Sequence, residues 1–225
     1  MGSTFRETWA SLREGLHRFA AQDRQRRRQL LFRGQSDTNW PLDTTLDRFK
    51  PIADPLKRAR LVYELLQEFS REAVQITSRA APLPEGDALE LLARHHGLPS
   101  PLLDWTRSPF VAAYFAFEAA GAADRAVWVL DLNRIPPPEF FPVDIIDDHL
   151  LLQFNRRALR QQSIFLRVNE AKPLEQIASI ALTKFELPSS ERGIALAELD
   201  AMNINATSLF EDFDGVARAV RTRMS

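Results

Sequence analysis

Segments typical of buried strands alternate irregularly with segments typical of helices along this chain. Ala126–Leu132 has the β-branched and aromatic composition of a buried strand, and Ser163–Val168 and Ile180–Leu187 are further predicted strands. The helices predicted around them do not follow the regular strand–helix–strand order of a doubly wound sheet. This order therefore predicts an α+β fold with a mixed or antiparallel sheet and surrounding helices.

The length of 225 residues suits one large domain with a substantial core. Residues 136–138 form the only predicted linker, and strands are predicted on both sides of it. We therefore expect a single domain over residues 1–225, with residues 1–22 as an N-terminal amphipathic helix packed on it. The buried stripe of that helix is predicted at Phe5, Trp9, Leu12, Leu16 and Phe19.

Four further helices have recognisable first residues, because Asp and Ser side chains cap helix N-termini. The predicted capping residues are Asp54, Asp87, Ser108 and Ser190. Proline follows directly at Pro55 and Pro109, a position that favours the first helical turn.

Composition excludes several kinds of site. The chain has no Cys, so disulfides, cysteine zinc sites and thiol nucleophiles are excluded. Its formal net charge of -1 argues against a globally basic nucleic-acid binder. The four histidines lack metal-ligand spacing, so we expect no metal site. No signal-peptide core or long apolar run occurs, and we expect a cytoplasmic protein that does not contact a membrane.

Two segments place polar side chains where short apolar stretches end. In Leu31–Gln35, an arginine followed by glycine presents a fork of donors suited to phosphate or carboxylate. In Arg94–Pro109, strand alternation sends Asp104 and Thr106 to one face. Ser108 then stands at a helix N-terminus, which favours an anion. The two segments together predict a functional site.

Each of these residues also has a purely structural interpretation. Arg33 either binds an anion or pairs with a carboxylate such as Asp37 or Asp104, and the sequence favours neither. Ser108 is favoured as a helix cap. The sequence favours structural roles over ligand binding for the remaining candidates, which are Trp40, His95, His96, Gln161 and Gln162.

The same residues resemble the FRG domain family, which is named for the Phe-Arg-Gly that stands here at residues 32–34. The resemblance runs from about residue 25 onward and covers most of the chain. It continues in Trp40–Arg48, His95–Pro99, Leu102–Ala116, Asn155–Phe165 and Ser208–Gly215. The sequence departs from the family pattern at Arg94 (usually Gln), at residues 100–101 (usually Thr-Arg) and at Ser163 (usually Gly). The family is largely uncharacterised, so its name implies no reaction.

A second resemblance concerns Thr106–Ala116, which is similar to the strand-to-helix segment of ADP-ribosyltransferase folds. In those enzymes an earlier strand brings an Arg or His to the dinucleotide. A later strand brings a Glu or Gln near the scissile bond. Residues of these types follow in the same order here, as Arg33, then Thr106 and Ser108, then Gln161 and Gln162.

This resemblance implies an ADP-ribosyltransferase-like fold and an enzyme, either a transferase or an NAD glycohydrolase, that takes NAD as its substrate. The implied catalytic residues are Arg33, Asp104, Gln161 and Gln162. The implied NAD-binding residues are Arg33, Gly34, Gln35, His95, His96, Thr106 and Ser108. A nucleotide is then the small-molecule partner, and a macromolecule is the expected acceptor of any transferred ADP-ribose.

Two other functions remain open. The first is a non-enzymatic module in which Arg33 and Asp104 form a structural pair under a ligand or partner groove. The second, less favoured, is nucleic-acid binding through Arg24–Arg28. A role as a bacterial toxin or phage-defence effector is an association with stand-alone domains of this kind and does not follow from the residues.

Overall fold

The computed structural model describes residues 2–22, 24–75, 83–147, 156–210 and 212–224. Its described part is an α+β structure with one mixed sheet of seven strands, as the sequence predicts. The strands are β1 Ser3–Arg6, β2 Leu30–Gln35, β3 Leu102–Thr106, β4 Arg125–Asp131, β5 Val143–Ile146, β6 Ser163–Val168 and β7 Leu182–Leu187. They are ordered β1-β7-β4-β2-β3-β6-β5 in the sheet, and only the β1–β7 pair is parallel.

Helices lie between the strands at irregular intervals. The described helices are α1 Trp9–Ala20, α2 Arg24–Arg28, α3 Thr45–Phe49, α4 Pro55–Ala73, α5 Gly86–His95, α6 Pro109–Phe117, α7 Arg156–Arg160, α8 Leu174–Ile177, α9 Arg192–Ala201, α10 Ala206–Phe210 and α11 Phe213–Met224. Short 3-10 turns occupy Leu132–Arg134, Pro138–Phe140 and Ser189–Glu191. None of these helices is both long enough and apolar enough to cross a bilayer.

Two of the four predicted helix caps are confirmed. The Asp54 carboxylate accepts from the Lys57 amide at 2.8 Å, and the Ser108 hydroxyl accepts from the Val111 amide at 3.3 Å. Asp87 is not a cap, because α5 begins one residue earlier. Ser190 is not a cap either, because it lies inside a 3-10 turn that precedes α9.

The N-terminal segment departs from the prediction of one helix over residues 1–22. Residues 3–6 form β1, an edge strand beside β7, and the Phe5 ring stacks on Phe185 with 5.7 Å between centroids. Helix α1 begins at Trp9, whose side chain is buried as predicted. Pairing with β7, which is distant in sequence, provides a hydrogen-bonded partner that outweighs the local helical spacing of Phe5.

The sheet carries apolar layers on both faces. One layer joins β2 and β4 to α1, α6 and the three C-terminal helices α9, α10 and α11, and Phe32, Val127 and Phe117 belong to it. The opposite layer lies under the loops and α8 and includes Leu31, Trp105 and Trp128. A smaller cluster packs α5 and α7 against β3, β5 and β6. Successive residues of β2 alternate between the first two layers, as expected for a strand buried on both faces.

Helix α6 crosses β2 at Gly34. A Cβ atom at this position would overlap the carbonyl oxygen of Ala112 and the amide nitrogen of Ala116, both main-chain atoms of α6. Glycine is therefore required here for the close approach of helix and strand. This contact brings α6, from Ala112 to Ala116, against the strand that carries Arg33.

Candidate functional site

A cleft lies where the sheet opens between β2 and β3. Strand β2 pairs with β4 over all six of its residues, whereas its ladder with β3 consists of the single pair Phe32–Thr106. The two strands separate beyond this pair, and residues of both line a cleft of about 470 Å³. This volume is within the range of about 300–1,000 Å³ typical of small-molecule sites.

Seven of the ten candidate residues line this one cleft. They are Arg33, Gly34, Gln35, His95, Asp104, Thr106 and Gln161. They come from β2, α5, β3 and the end of α7, which are distant in sequence. The structure therefore joins the two sequence segments that first indicated a site.

Arg33 lies where the two strands separate. Its Nη1 donates to the main-chain oxygen of Asp104 at 2.5 Å, so the contact between the two residues is a hydrogen bond to the backbone. Its Nε is buried without a hydrogen-bond partner among the described residues. Burial lowers the pKa of Arg33 to about 10; the charge of Asp104 opposes this, and the charges of Arg94 and Arg48 add to it. The Arg33 guanidinium is cationic and lines the cleft, so this part of the lining favours an anionic ligand.

The Asp104 carboxylate has a different partner, Arg94 of α5. Arg94 Nε donates to Oδ1 at 3.1 Å and Nη2 donates to Oδ2, a bidentate geometry. The Asp104 side chain is 49% exposed, whereas that of Arg94 is 14% exposed. Desolvation favours a higher pKa for Asp104, but Arg94 and then Arg33 outweigh it and hold the pKa below its usual range. Asp104 therefore remains ionised in the cleft at neutral pH.

Arg94 is itself held in place from a second direction. Its Nη1 donates to the hydroxyl of Thr45 at 3.1 Å, and that hydroxyl also accepts from the Ser100 amide at 2.9 Å. Burial favours a lower pKa for Arg94, but Asp104 outweighs this effect and raises it. The orientation of the Arg94–Asp104 pair is thus set by the protein before any ligand binds.

A third arginine, Arg157 of α7, also lines the cleft. Its guanidinium lies 4.1 Å from the centre of the Phe210 ring, a cation–π contact. Burial lowers the pKa of Arg157, and the charge of Arg218 lowers it further. Three arginines thus line the cleft, and Asp104 is the only carboxylate among the described lining residues. The cleft carries a net positive charge that favours an anion.

Three of the lining candidates are engaged by the fold. The Gln35 side chain accepts from Trp128 Nε1 at 2.6 Å and donates to the Pro41 carbonyl at 3.2 Å. The Thr106 hydroxyl donates to the Gln161 carbonyl at 2.6 Å and accepts from the Ser108 amide at 3.0 Å. Gln161 donates through Nε2 to the Leu209 carbonyl at 3.3 Å. These residues shape the walls of the cleft.

The other three candidates lie outside the cleft lining. Ser108 caps α6, as the sequence favoured. His96 follows the last residue of α5 and is exposed, and only its neighbour His95 reaches the cleft. Gln162 has a left-handed φ of 49° and lines a separate pocket of about 130 Å³ with Arg107 and Asp147. Of the two glutamines proposed for the ribose, the structure therefore places Gln161 at the site.

His95 stands at the rim of the cleft as the last residue of α5. Burial lowers its pKa, and the charges of His96 and Arg157 lower it further, while Asp212 opposes them. Its imidazole is therefore mainly neutral at pH 7 and can act as donor or acceptor toward a ligand.

Three lining residues were missed as functional candidates from the sequence. Trp40 was favoured as a core residue, but it is 54% exposed and lines the cleft. Arg94 lies inside the segment that indicates a site. Its pairing with Asp104 depends on how α5 packs against β3, which local sequence patterns do not show. Arg157 gave no signal beyond its charge. The first residue of the predicted segment Asn155–Phe165 lies outside the described residues. His149 also lies outside them.

The described residues also bear on two other kinds of site, a metal site and a nucleic-acid site. No group of three or more His, Asp or Glu side chains there could hold a metal ion. The cluster Arg24–Arg28 forms α2, and Arg26 pairs with Asp131 at 3.1 Å. At least one arginine of that cluster therefore serves the fold.

Comparison with known proteins identifies one family. The FRG domain model matches residues 28–125, which include Arg33, Arg94 and Asp104 but not Arg157 or Gln161. No curated protein and no solved structure matches the chain. At position 101, where the family pattern noted above has Arg, this chain has Pro, and Arg94 provides the cation for Asp104.

Proposed function

Residues 28–125 match the FRG domain family, and from that premise we propose that the chain binds NAD in the cleft and breaks the bond between nicotinamide and ribose. The observation that carries this proposal is Arg33. Its half-buried side chain brings a guanidinium to the opening of the sheet beside Asp104, and Arg94 and Arg157 add two further cations to the lining. A pyrophosphate supplies the acceptor oxygens that such a group needs.

The charges of the cleft suit both the binding of the NAD pyrophosphate and the breaking of the glycosidic bond. Arg33 and Arg157 attract the pyrophosphate, while Asp104 offers a negative charge close to Arg33. When the glycosidic bond breaks, its electron pair leaves with nicotinamide and positive charge develops on the ribose. The ionised Asp104 stabilises that charge electrostatically. Water then attacks the ribose carbon and loses a proton, giving ADP-ribose; a nucleophile of an acceptor macromolecule takes the place of water in a transfer reaction.

The proposal includes an ADP-ribosyltransferase-like organisation of the sheet, with the substrate at the opening between β2 and β3. In this arrangement Gln161 orients the ribose, while Gly34, Gln35 and Thr106 shape the walls around it. The cytoplasmic location, the macromolecular acceptor and the role in bacterial defence remain predictions from the sequence.

Nicotinamide release tests the enzymatic proposal. Wild-type protein, Arg33→Ala and Arg60→Ala are incubated with NAD, and nicotinamide is followed by chromatography. Arg60 is a matched control, because it is an exposed arginine paired with Glu64 and does not line the cleft. We expect Arg33→Ala to lose about 2–4 kcal/mol of transition-state stabilisation, a fall of roughly 30- to 1,000-fold in kcat/KM. Equal release by Arg33→Ala and wild type would contradict the assigned role.

A second function, binding without reaction, is supported by the contacts of the same residues. Arg94 neutralises the Asp104 carboxylate, and the Gln161 amide is already bonded to Leu209. The first contact reduces the electrostatic stabilisation available to a developing cation, and the second holds the Gln161 side chain toward Leu209. NAD binding that depends on Arg33, without nicotinamide release, would establish this alternative. A failure of the wild type to bind NAD would exclude both NAD cleavage and NAD binding.

A further inference from the structure

Trp40 differs from the other tryptophans of this chain. The sequence has four tryptophans, and Trp9, Trp105 and Trp128 are 1%, 2% and 7% exposed. Trp40 is 54% exposed and lines the cleft. About half of the indole surface is therefore exposed at the edge of a basic cleft, where it is available to a ligand.

The loop that carries Trp40 is fixed at several points. The Thr38 amide donates to the Asp124 carbonyl at 2.7 Å, and the Thr38 carbonyl accepts from Lys184 Nζ at 2.5 Å. The Asp37 carboxylate accepts from the Asn39 amide at 2.8 Å, closing a turn. Directly after Trp40 in the chain, the Pro41 carbonyl accepts from Gln35 at 3.2 Å. The indole is thus attached to ordered backbone, and little backbone ordering is needed when a ligand contacts it.

An exposed aromatic ring and a group of arginines select different parts of one ligand. The arginines of the cleft favour phosphate, which carries no planar face. The indole favours a planar heterocycle, because stacking buries both apolar faces. A nucleotide combines these two features, whereas inorganic phosphate and sugar phosphates have only the first.

We propose that Trp40 stacks on the adenine ring of the ligand and makes the cleft selective for adenine nucleotides over simple phosphates. This inference rests on the proposed function. The nicotinamide must lie near Asp104, where its bond to ribose breaks, and Asp104 stands on β3 at the opening of the sheet. In this proposal the ring at Trp40, in the loop that follows β2, is the adenine at the other end of the dinucleotide.

Two ligands without nicotinamide separate the stacking contribution from the phosphate contribution. ADP-ribose carries adenine and pyrophosphate, whereas ribose 5-phosphate carries no aromatic ring. Dissociation constants of both are measured by calorimetry for wild type, Trp40→Ala, Trp40→Phe and Arg33→Ala. Phe49→Ala serves as the control, because Phe49 is 58% exposed and does not line the cleft.

We expect Trp40→Ala to bind ADP-ribose about 5- to 150-fold more weakly than wild type, as loss of one stacked base implies. Trp40→Phe should recover most of that loss, because it keeps an aromatic face. Ribose 5-phosphate should bind Trp40→Ala and wild type equally. ADP-ribose should also quench the tryptophan fluorescence of the wild type, and this quenching should disappear in Trp40→Phe.

The outcomes distinguish this inference from the proposed function. ADP-ribose binding that depends on Arg33 but is unchanged in Trp40→Ala would overturn the stacking and leave the proposed function intact. An equal loss of both ligands in Trp40→Ala would also overturn it, because the effect would not involve the adenine. Binding unaffected by Arg33→Ala, or no binding by wild type, would overturn both proposals. Because Trp40 is exposed, its variants are expected to melt within about 2 °C of wild type.

Discussion

Arg94 holds the Asp104 carboxylate with two guanidinium nitrogens, while Arg33 binds the main-chain oxygen of the same aspartate. One residue of β3 thus joins an arginine from α5 and an arginine from β2 across the opening of the sheet. The side chain and the backbone of Asp104 are engaged by different cations. The two arginines therefore make different contributions, which substitutions can separate.

Replacing Arg94 should change the pH dependence of activity. The pKa of Asp104 is below its usual range mainly because Arg94 outweighs the effect of burial. In Arg94→Gln we expect this pKa to rise, so that the acid limb of kcat/KM moves to higher pH. Arg94→Lys, which keeps the charge, should shift the limb less. The measurement is nicotinamide release across pH 3–8, and an unmoved acid limb would show that Asp104 does not govern it.

The Arg94–Asp104 pair should also stabilise the fold to an extent that depends on pH. A depressed pKa in the folded state means that the contribution is present above the unfolded value of about 3.9 and is lost as the pH falls through the folded value. Urea unfolding of wild type should therefore lose stability in that acid range, and Arg94→Gln should lose less there. Equal pH dependence in the two proteins would contradict this assignment.

Gly34→Ala should destabilise the protein strongly. The new methyl group would overlap main-chain atoms of Ala112 and Ala116, which cannot move without displacing α6 from β2. Overpacking of this kind costs about 1–3 kcal/mol or more. Gly15→Ala is the control, because its Cβ would meet no atom within 4 Å and α1 should gain about 0.5–1 kcal/mol. Urea denaturation of both variants should move the midpoint in opposite directions.

Ser108→Ala should separate helix capping from ligand binding. The hydroxyl accepts from the Val111 amide and lies outside the cleft lining. Its loss should therefore cost about 1 kcal/mol of stability and leave the dissociation constant for NAD within twofold of wild type. A large loss of affinity in a folded Ser108→Ala protein would return this residue to the binding site.

Removing one or the other member of the Glu90–Arg167 ion pair should cost different amounts of stability. Glu90 is buried, and its Oε2 accepts from Arg167 Nη2 at 2.6 Å. Arg167→Leu leaves that carboxylate without its cation and should cost about 3–5 kcal/mol. Glu90→Gln should cost much less, because Asp87 still accepts from Arg167 at 2.5 Å. Thermal unfolding at neutral pH measures both.

The pH dependence of the Arg167→Leu variant checks the cause of that loss. Burial raises the pKa of Glu90, and Arg167 opposes the effect. Without Arg167 this pKa should rise further, so that protonation relieves the buried charge. A raised folded-state pKa means that stability is regained as the pH falls through it. The destabilisation should therefore shrink at acid pH; a constant loss would point to packing in place of charge.

Local patterns determined much of this fold from the sequence. The strand at Ser163–Val168 has the predicted bounds, and the caps at Asp54 and Ser108 are confirmed because a side chain and an amide three residues apart suffice to form them. The alternation along β3 is also confirmed, since Leu103 and Trp105 share one apolar layer. Such signals are read within a few residues and need no knowledge of the rest of the chain.

Only the tertiary structure decided which groups meet. The opening between β2 and β3, the register of α5 that turns Arg94 toward Asp104, and the exposure of Trp40 all depend on contacts between elements far apart in sequence. Phe5 joined a strand for the same reason. The sequence by itself therefore determined several of the elements and most of the polar side chains at the cleft. Their partners followed from long-range packing, because the free energy of a contact depends on what the fold places opposite each residue.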